Sequence, residues 1–196
     1  MQETRSVKVT DPRALRALAH PTRLSLLSLL RRGGPLTATQ AGEGIGESPA
    51  CCSFHLRQLA KYGLVEEAGG GRGRERPWRA TAISTEWATR GGDEEANAAG
   101  ALLSRVVVER YFQNALEWLE RRDCEDPEWV DAATLSDAIV YMTPEELGEV
   151  DGQIRALLEP YLARLEDTAP PAEGSRPVSV IALAFPLLEE PREVPG

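Results

Sequence analysis

Ser48-Pro49-Ala50-Cys51-Cys52-Ser53-Phe54-His55-Leu56-Arg57-Gln58-Leu59-Ala60-Lys61-Tyr62-Gly63-Leu64-Val65 is the stretch on which the reading of this chain turns. It spells a helix with a marked start and stop. Ser48 can cap the free N–H groups of the first turn, and Pro49 sits where a missing N–H costs nothing. Cys52, Leu56 and Leu59 recur at i, i+4 and i+7 as a buried stripe, and Gly63 supplies the stop. The other side carries Cys51, Ser53, Phe54 and Arg57. No acidic residue lies between Ser48 and Lys61. A polar face with an arginine and no carboxylate suits a polyanionic partner.

The flanks sharpen this. Thr37-Ala38-Thr39-Gln40 has the spacing of a capping box and opens a short helix that must end near Gly44 and Gly46. Two short helices joined by a glycine turn have the outline of a helix-turn-helix. Beyond Gly63, residues 64–68 and 76–81 read as strands of a hairpin, with Pro77 on its edge. Its tip, Gly69-Gly70-Gly71-Arg72-Gly73-Arg74-Glu75, is what a flexible wing needs to reach phosphates. Upstream, Asp11-Pro12 starts one helix, with Leu15, Leu18 and Ala19 as its stripe. A second, apolar nearly all round, runs from Pro21 to about Arg32, and Gly33-Gly34-Pro35 ends it.

Leu18-Ala19-His20-Pro21-Thr22-Arg23-Leu24, Ser53-Phe54-His55-Leu56-Arg57-Gln58-Leu59 and Tyr62-Gly63-Leu64-Val65, in that order, resemble the winged-helix ArsR/SmtB-type bacterial repressors. The resemblance covers roughly residues 11–81. It implies a dimeric transcriptional regulator whose second helix-turn-helix helix enters the major groove, with Ser53 and His55 at the family's Ser and His positions. Phe54 stands where the family often has a basic or polar residue, and it could meet a thymine methyl.

Charge supports the division of labour. The chain of 196 residues carries a net −9. Residues 1–90 hold 14 Lys and Arg against 8 Asp and Glu, whereas residues 91–196 hold 8 against 23. Attraction to phosphate acts over a Debye length of about 8–10 Å, so the basic half decides binding and the acidic half repels DNA. Three cysteines make no disulfide framework. Cys52 reads as core, and Cys51, facing outward, is a candidate thiol switch. Neither a signal peptide nor an apolar run of about 18 residues is visible, so the cytoplasm is the expected compartment and no membrane partner is expected.

Residues 83–100, with Gly91-Gly92 and Asp93-Glu94-Glu95, read as a connector. A strong helix follows over residues 101–122. Its wide apolar face, including Leu103, Val107, Tyr111 and Leu116, is expected to form a homodimer interface. Thr143-Pro144-Glu145-Glu146 starts another helix, which Pro160 should kink. Residues 134–142 and 178–187 read as strands. Trp118, Trp129, Tyr141, Tyr161 and Phe185 are candidates to line a pocket for a small apolar effector, against the plainer reading that they are core.

Catalytic chemistry is not expected: the two histidines, His20 and His55, both lie in the winged half, and no glycine loop leads from a strand into a helix. Cysteine or histidine sets for metal sensing are missing from residues 37–46 and 101–122, so neither metal nor cofactor is expected.

The expected architecture is α+β, mostly α. A winged helix-turn-helix domain (residues 1–82) precedes the connector and a helical dimerisation and effector region (residues 101–196) with a small antiparallel β element. The expected function is a homodimeric, sequence-specific DNA-binding regulator, a repressor by resemblance, on a double-stranded operator. Ser48, Cys51, Ser53, Phe54, His55 and Arg57 would meet bases or nearby phosphates, Thr37, Thr39 and Gln40 would fix register, and Arg72, Arg74 and Arg76 would reach the backbone or minor groove. The alternative is a winged-helix protein-interaction module with weak or no specific DNA binding.

Overall fold

The computed structural model describes residues 4–71, 76–88, 90–165 and 172–187. The chain is α+β and mostly helical. Strand β1 (Thr4–Val9) leads into α1 (Pro12–Leu18) and α2 (Pro21–Gly33), followed by α3 (Ala38–Ile45) and α4 (Pro49–Lys61). The wing strands are β2 (Val65–Glu67) and β3 (Trp78–Ala80), and β4 (Ala82–Trp87) continues from the second. Then come α5 (Glu94–Arg121), a 3-10 turn at Arg122–Cys124, α6 (Pro127–Ala132) and α7 (Pro144–Ala163).

Helix starts follow the capping residues. Asp11 accepts from the Arg13 N–H, Ser48 from Cys51 and Thr143 from Glu146, each one residue ahead of a proline that opens the helix. Thr37 and Gln40 close a reciprocal capping box at α3. The α4 stop is a Schellman pair: Leu64 N–H donates to the Leu59 carbonyl at 3.1 Å and Gly63 N–H to Ala60 at 2.9 Å. Gly63 adopts φ 68°, which a residue with a Cβ adopts only under strain.

Packing explains why the four helices hold together. Leu15, Leu18, Leu26, Leu27, Leu30, Cys52, Leu56 and Leu59 are all buried in one cluster, which α1, α2 and α4 supply between them. The wing joins it through Trp78 and Ala80, and through reciprocal backbone bonds between Leu36 and Trp78 at 2.8 and 3.0 Å. β2 and β3 pair antiparallel, with Val65 opposite Ala80 and Glu67 opposite Trp78.

Four features depart from the sequence-based expectation. First, β1 and β4 form a parallel pair, with Thr4 opposite Ala82 and Val9 opposite Trp87. The stretch expected as a connector therefore begins inside a strand. Second, α5 starts at Glu94 behind an Asp93 cap and not at residue 101, and its Ala99 and Gly100 are buried against the winged body. Third, Leu103 and Val107, expected at a subunit interface, are 1 % and 9 % exposed and belong to the core of this one chain, where α5 packs on α1. Fourth, residues 134–142 and 178–187 form no strand: β patterning alone does not make one where no partner ladder is available. Pro160 lies in the last turn of α7.

Candidate nucleic-acid interface

The helix-turn-helix is tight because of one glycine. Gly42 is buried in α3, and a Cβ built there would stand 2.5 Å from the Glu47 carbonyl oxygen. Gly46, at φ 73°, then turns the chain toward Ser48. The turn therefore brings the start of α4 against α3 with no room for a larger residue.

Around α4 a cleft of about 610 Å³ opens between α3, α4 and the wing. Thr37, Thr39, Gln40, Ser53, Arg57 and Arg76 all line it. Arg57 is exposed and makes no hydrogen bond or ion pair among the described residues. Arg76 is exposed as well, and its Nη1 donates to Glu67 Oε1 at 2.9 Å. An exposed pair of this kind contributes about 0–1 kcal/mol, so a phosphate can displace the carboxylate. Arg79 is tied more firmly: Nε and Nη2 both donate to Glu66 Oε1, at 2.8 and 2.6 Å. Arg72 and Arg74 lie outside the described residues.

Other members of the expected set are placed as follows. Phe54 is 51 % exposed on α4. Ser48 is spent on the cap, and Cys51 is half-buried behind it. Loss of hydration, then the hydrogen bond and charge of Glu47, push the Cys51 thiol up from its ordinary range. A raised thiol is a poor nucleophile, which weighs against a redox role.

His55 is a correction: it is 8 % exposed and not on the outer face. Its ring packs on His20, centroids 4.6 Å apart, and its edge meets Phe54 at 5.1 Å. The cue was available, because His55 falls three residues after Cys52 and one before Leu56, on the buried stripe. Burial, the neighbouring imidazole of His20 and the Arg23 guanidinium lower the His55 pKa, with Glu47 opposing. Burial and then Arg23 lower His20 likewise. Both imidazoles are thus held neutral, and the Nδ1 atom of each is buried without a hydrogen-bond partner among the described residues. Trp78 and Glu67 also line the cleft and were not anticipated. Trp78 follows Pro77 in the returning strand, so its wing position was readable, whereas its neighbour across the turn, α3, was not.

The remaining candidates do not converge on a site. Tyr111 and Leu116 are 39 % and 54 % exposed on the outer part of α5. Trp118 and Trp129 are half-buried, while Tyr141, Tyr161 and Phe185 are exposed. These five aromatics line neither the cleft above nor the one between α2 and α5. No group of three or more His, Cys, Asp or Glu side chains among the described residues is placed to hold a metal ion. No helix among them is long and apolar enough to cross a membrane.

Residues 18–68, from the end of α1 through β2, match the family described as a helix-turn-helix domain. Over 58 residues the chain is 45 % identical to the HTH-type transcriptional regulator NmtR of Mycobacterium tuberculosis. That match takes in 30 % of this chain and 48 % of the relative, so the chain spans about half the length of the curated relative it matches. The capped α3, the glycine turn, the carboxylate-free α4 and the wing are what such a domain requires, and this part of the chain is an ArsR-type winged helix-turn-helix domain.

Proposed function

We propose that the protein is a DNA-binding transcriptional regulator, acting in the cytoplasm as a homodimer on a double-stranded operator. One observation carries the reading: six side chains expected from sequence to touch DNA line one cleft around α4. α4 would lie in the major groove, with Arg57 and Ser53 at base edges and Phe54 against a thymine methyl. Thr37, Thr39 and Gln40, at the N-terminus of α3, would hold phosphates, where the positive end of the helix dipole favours an anion and Thr37 and Gln40 cap one another. Arg76 and the wing arginines would follow the backbone. Two copies of α4 must stand about 34–36 Å apart to read successive turns. The exposed outer part of α5 supports a joint there, with Tyr111, Phe112, Leu116 and Leu119 uncovered. Repression follows from blocking a promoter, with release by an effector as the switch.

Gel shifts on genomic fragments, over a salt series, test this. Arg57→Ala should cost about 1–3 kcal/mol on the preferred fragment and little on scrambled duplex. Arg72 and Arg74 both changed to Ala should weaken all DNA alike and reduce the slope of log K against log salt by about one unit per lost contact. Binding unchanged by either variant would remove DNA from this surface and leave a protein-interaction role.

A further inference from the structure

A second cleft, of about 250 Å³, lies between α2, β4 and α5. Its chemistry is unlike that of the first. Two guanidiniums line it, Arg31 from the last turn of α2 and Arg110 from α5, and no carboxylate does. Arg31 Nε donates to the Ala82 carbonyl at 3.0 Å and Nη2 to Thr85 Oγ1 at 2.6 Å. Both acceptors are neutral, and a guanidinium has five N–H donors. Arg110 is half-buried and makes no hydrogen bond or ion pair among the described residues; of its electrostatic neighbours the Tyr111 phenol favours its charge and the Arg32 guanidinium opposes it. Loss of hydration holds Arg31 down at about 10 and lowers Arg110 too. Withdrawn charges are normally paired, because an uncompensated one costs several kcal/mol. Leu24, Leu27, Trp87 and Tyr111 give the rest of the cleft an apolar and aromatic wall.

We propose that this cleft is a binding site for a small organic carboxylate, aromatic or short-chain aliphatic, whose charged end sits between Arg31 and Arg110. The planar fork of a guanidinium matches a carboxylate in a way it matches no neutral group. The apolar wall asks for a hydrocarbon body. The volume lies just below the usual range of small-molecule sites, about 300–1,000 Å³, which selects a small one. The position also gives the ligand a lever: α2 packs on α3 and α4, and Arg31 ties α2 to β4. As an effector site it deepens the regulator reading and rests on it; binding itself does not.

The test is titration of the 196-residue chain, without DNA, by calorimetry and by intrinsic tryptophan fluorescence, to which Trp87 in the cleft contributes. The probes are benzoate, hexanoate, benzyl alcohol and inorganic phosphate. Benzoate or hexanoate should bind saturably, and benzyl alcohol and phosphate about tenfold more weakly or less. Arg110→Gln, which removes no bond within the described fold and relieves an unpaired charge, should lower carboxylate affinity about tenfold or more at a urea midpoint equal to or above that of the wild type. Arg31→Gln should do the same, with some loss of stability from the lost β4 bonds. Equal binding of benzyl alcohol would overturn the role of the charges, and equal binding of phosphate that of the wall. No saturation by either carboxylate at millimolar concentration overturns the site. So does a change of oligomeric state in Arg110→Gln without carboxylate binding, which assigns the cations to a joint between subunits. A gel shift with and without benzoate then reads the regulatory arm separately: carboxylate binding without any DNA binding leaves the site standing and removes the regulator.

Discussion

The two halves of α5 share one sequence pattern and have different fates. Ala99, Leu103 and Val107 recur every four residues and are buried against the winged body. Tyr111, Phe112, Leu116 and Leu119 continue the apolar pattern and stand 38–57 % exposed. The contrast extends through the chain. Up to Val107 each large apolar stripe meets another element, whereas beyond it Leu135, Ile139, Tyr141, Leu157 and Phe185 are more exposed still. Apolar periodicity states that a face needs covering and is silent on what covers it. Near the helix-turn-helix the cover is in the same chain. Beyond it the cover must come from another surface, for which a second copy is the simplest candidate.

The largest effect that would break this comparison is a charge placed in each half of α5. Leu103→Glu buries an unpaired carboxylate in the core and should cost roughly 3–5 kcal/mol, a large share of the stability of a small domain. Leu116→Glu should leave stability within about 0.5 kcal/mol and act on association alone. Urea melts with sedimentation at two concentrations separate the outcomes. Should Leu103→Glu fold normally and merely dissociate, α5 would not pack on its own chain as described.

Gly42→Ala comes next and tests the turn. In α3 an alanine gains up to about 1 kcal/mol of helix propensity over glycine. The added Cβ would meet the Glu47 backbone oxygen, which cannot swing aside as a side chain can. Overpacking of that kind costs about 1–3 kcal/mol, so a net loss is expected. Stability measured for Gly42→Ala and Gly148→Ala should move in opposite directions, since a Cβ at Gly148 in α7 meets nothing. A stabilised Gly42→Ala would mean that the turn is looser than its geometry.

Local signals account for what could be read from sequence. Ser48-Pro49, Thr37 with Gln40, and Gly63 mark ends by hydrogen bonds made within a few residues, so the helices and the wing were legible. So was the exposure of Phe54 and Arg57 on α4, because exposure on one helix follows from its period. The β1–β4 pair was not: parallel strands leave no hairpin cue, and more than seventy residues separate them. Residues 134–142 and 178–187 have strand composition, yet a strand exists only with a partner, and composition carries no partner. The family resemblance points His55 toward DNA, whereas its spacing puts it on the buried stripe, and the spacing decides. The cations of the second cleft come from α2 and α5, far apart in sequence, and only the fold sets them side by side.

The smallest prediction uses protons to tell the halves apart. Both histidines lie in the N-terminal half, their rings in tilted contact between the start of α2 and α4. In the unfolded chain an imidazole titrates near 6.5, and burial lowers both below that value. Between the folded and unfolded pKa values the unfolded chain therefore binds more protons. Stability is complete above about pH 6.5–7 and declines as pH falls through that window. Glu125, on the C-terminal side, behaves differently. Its hydrogen bond to Arg176 holds the carboxyl below its ordinary value of 4.5, so the contribution of that pair is lost only at more acid pH. As the pair is exposed, that loss is small. Urea midpoints between pH 7.5 and 5.5 should thus fall for the wild type and fall less for His55→Gln, which removes one of the two buried imidazoles. Arg176→Gln should leave the slope in that interval as it was. If His55→Gln and the wild type lose stability in parallel, the imidazole pair is not held neutral by the fold, and the contact between α4 and the start of α2 is wetter than it stands here.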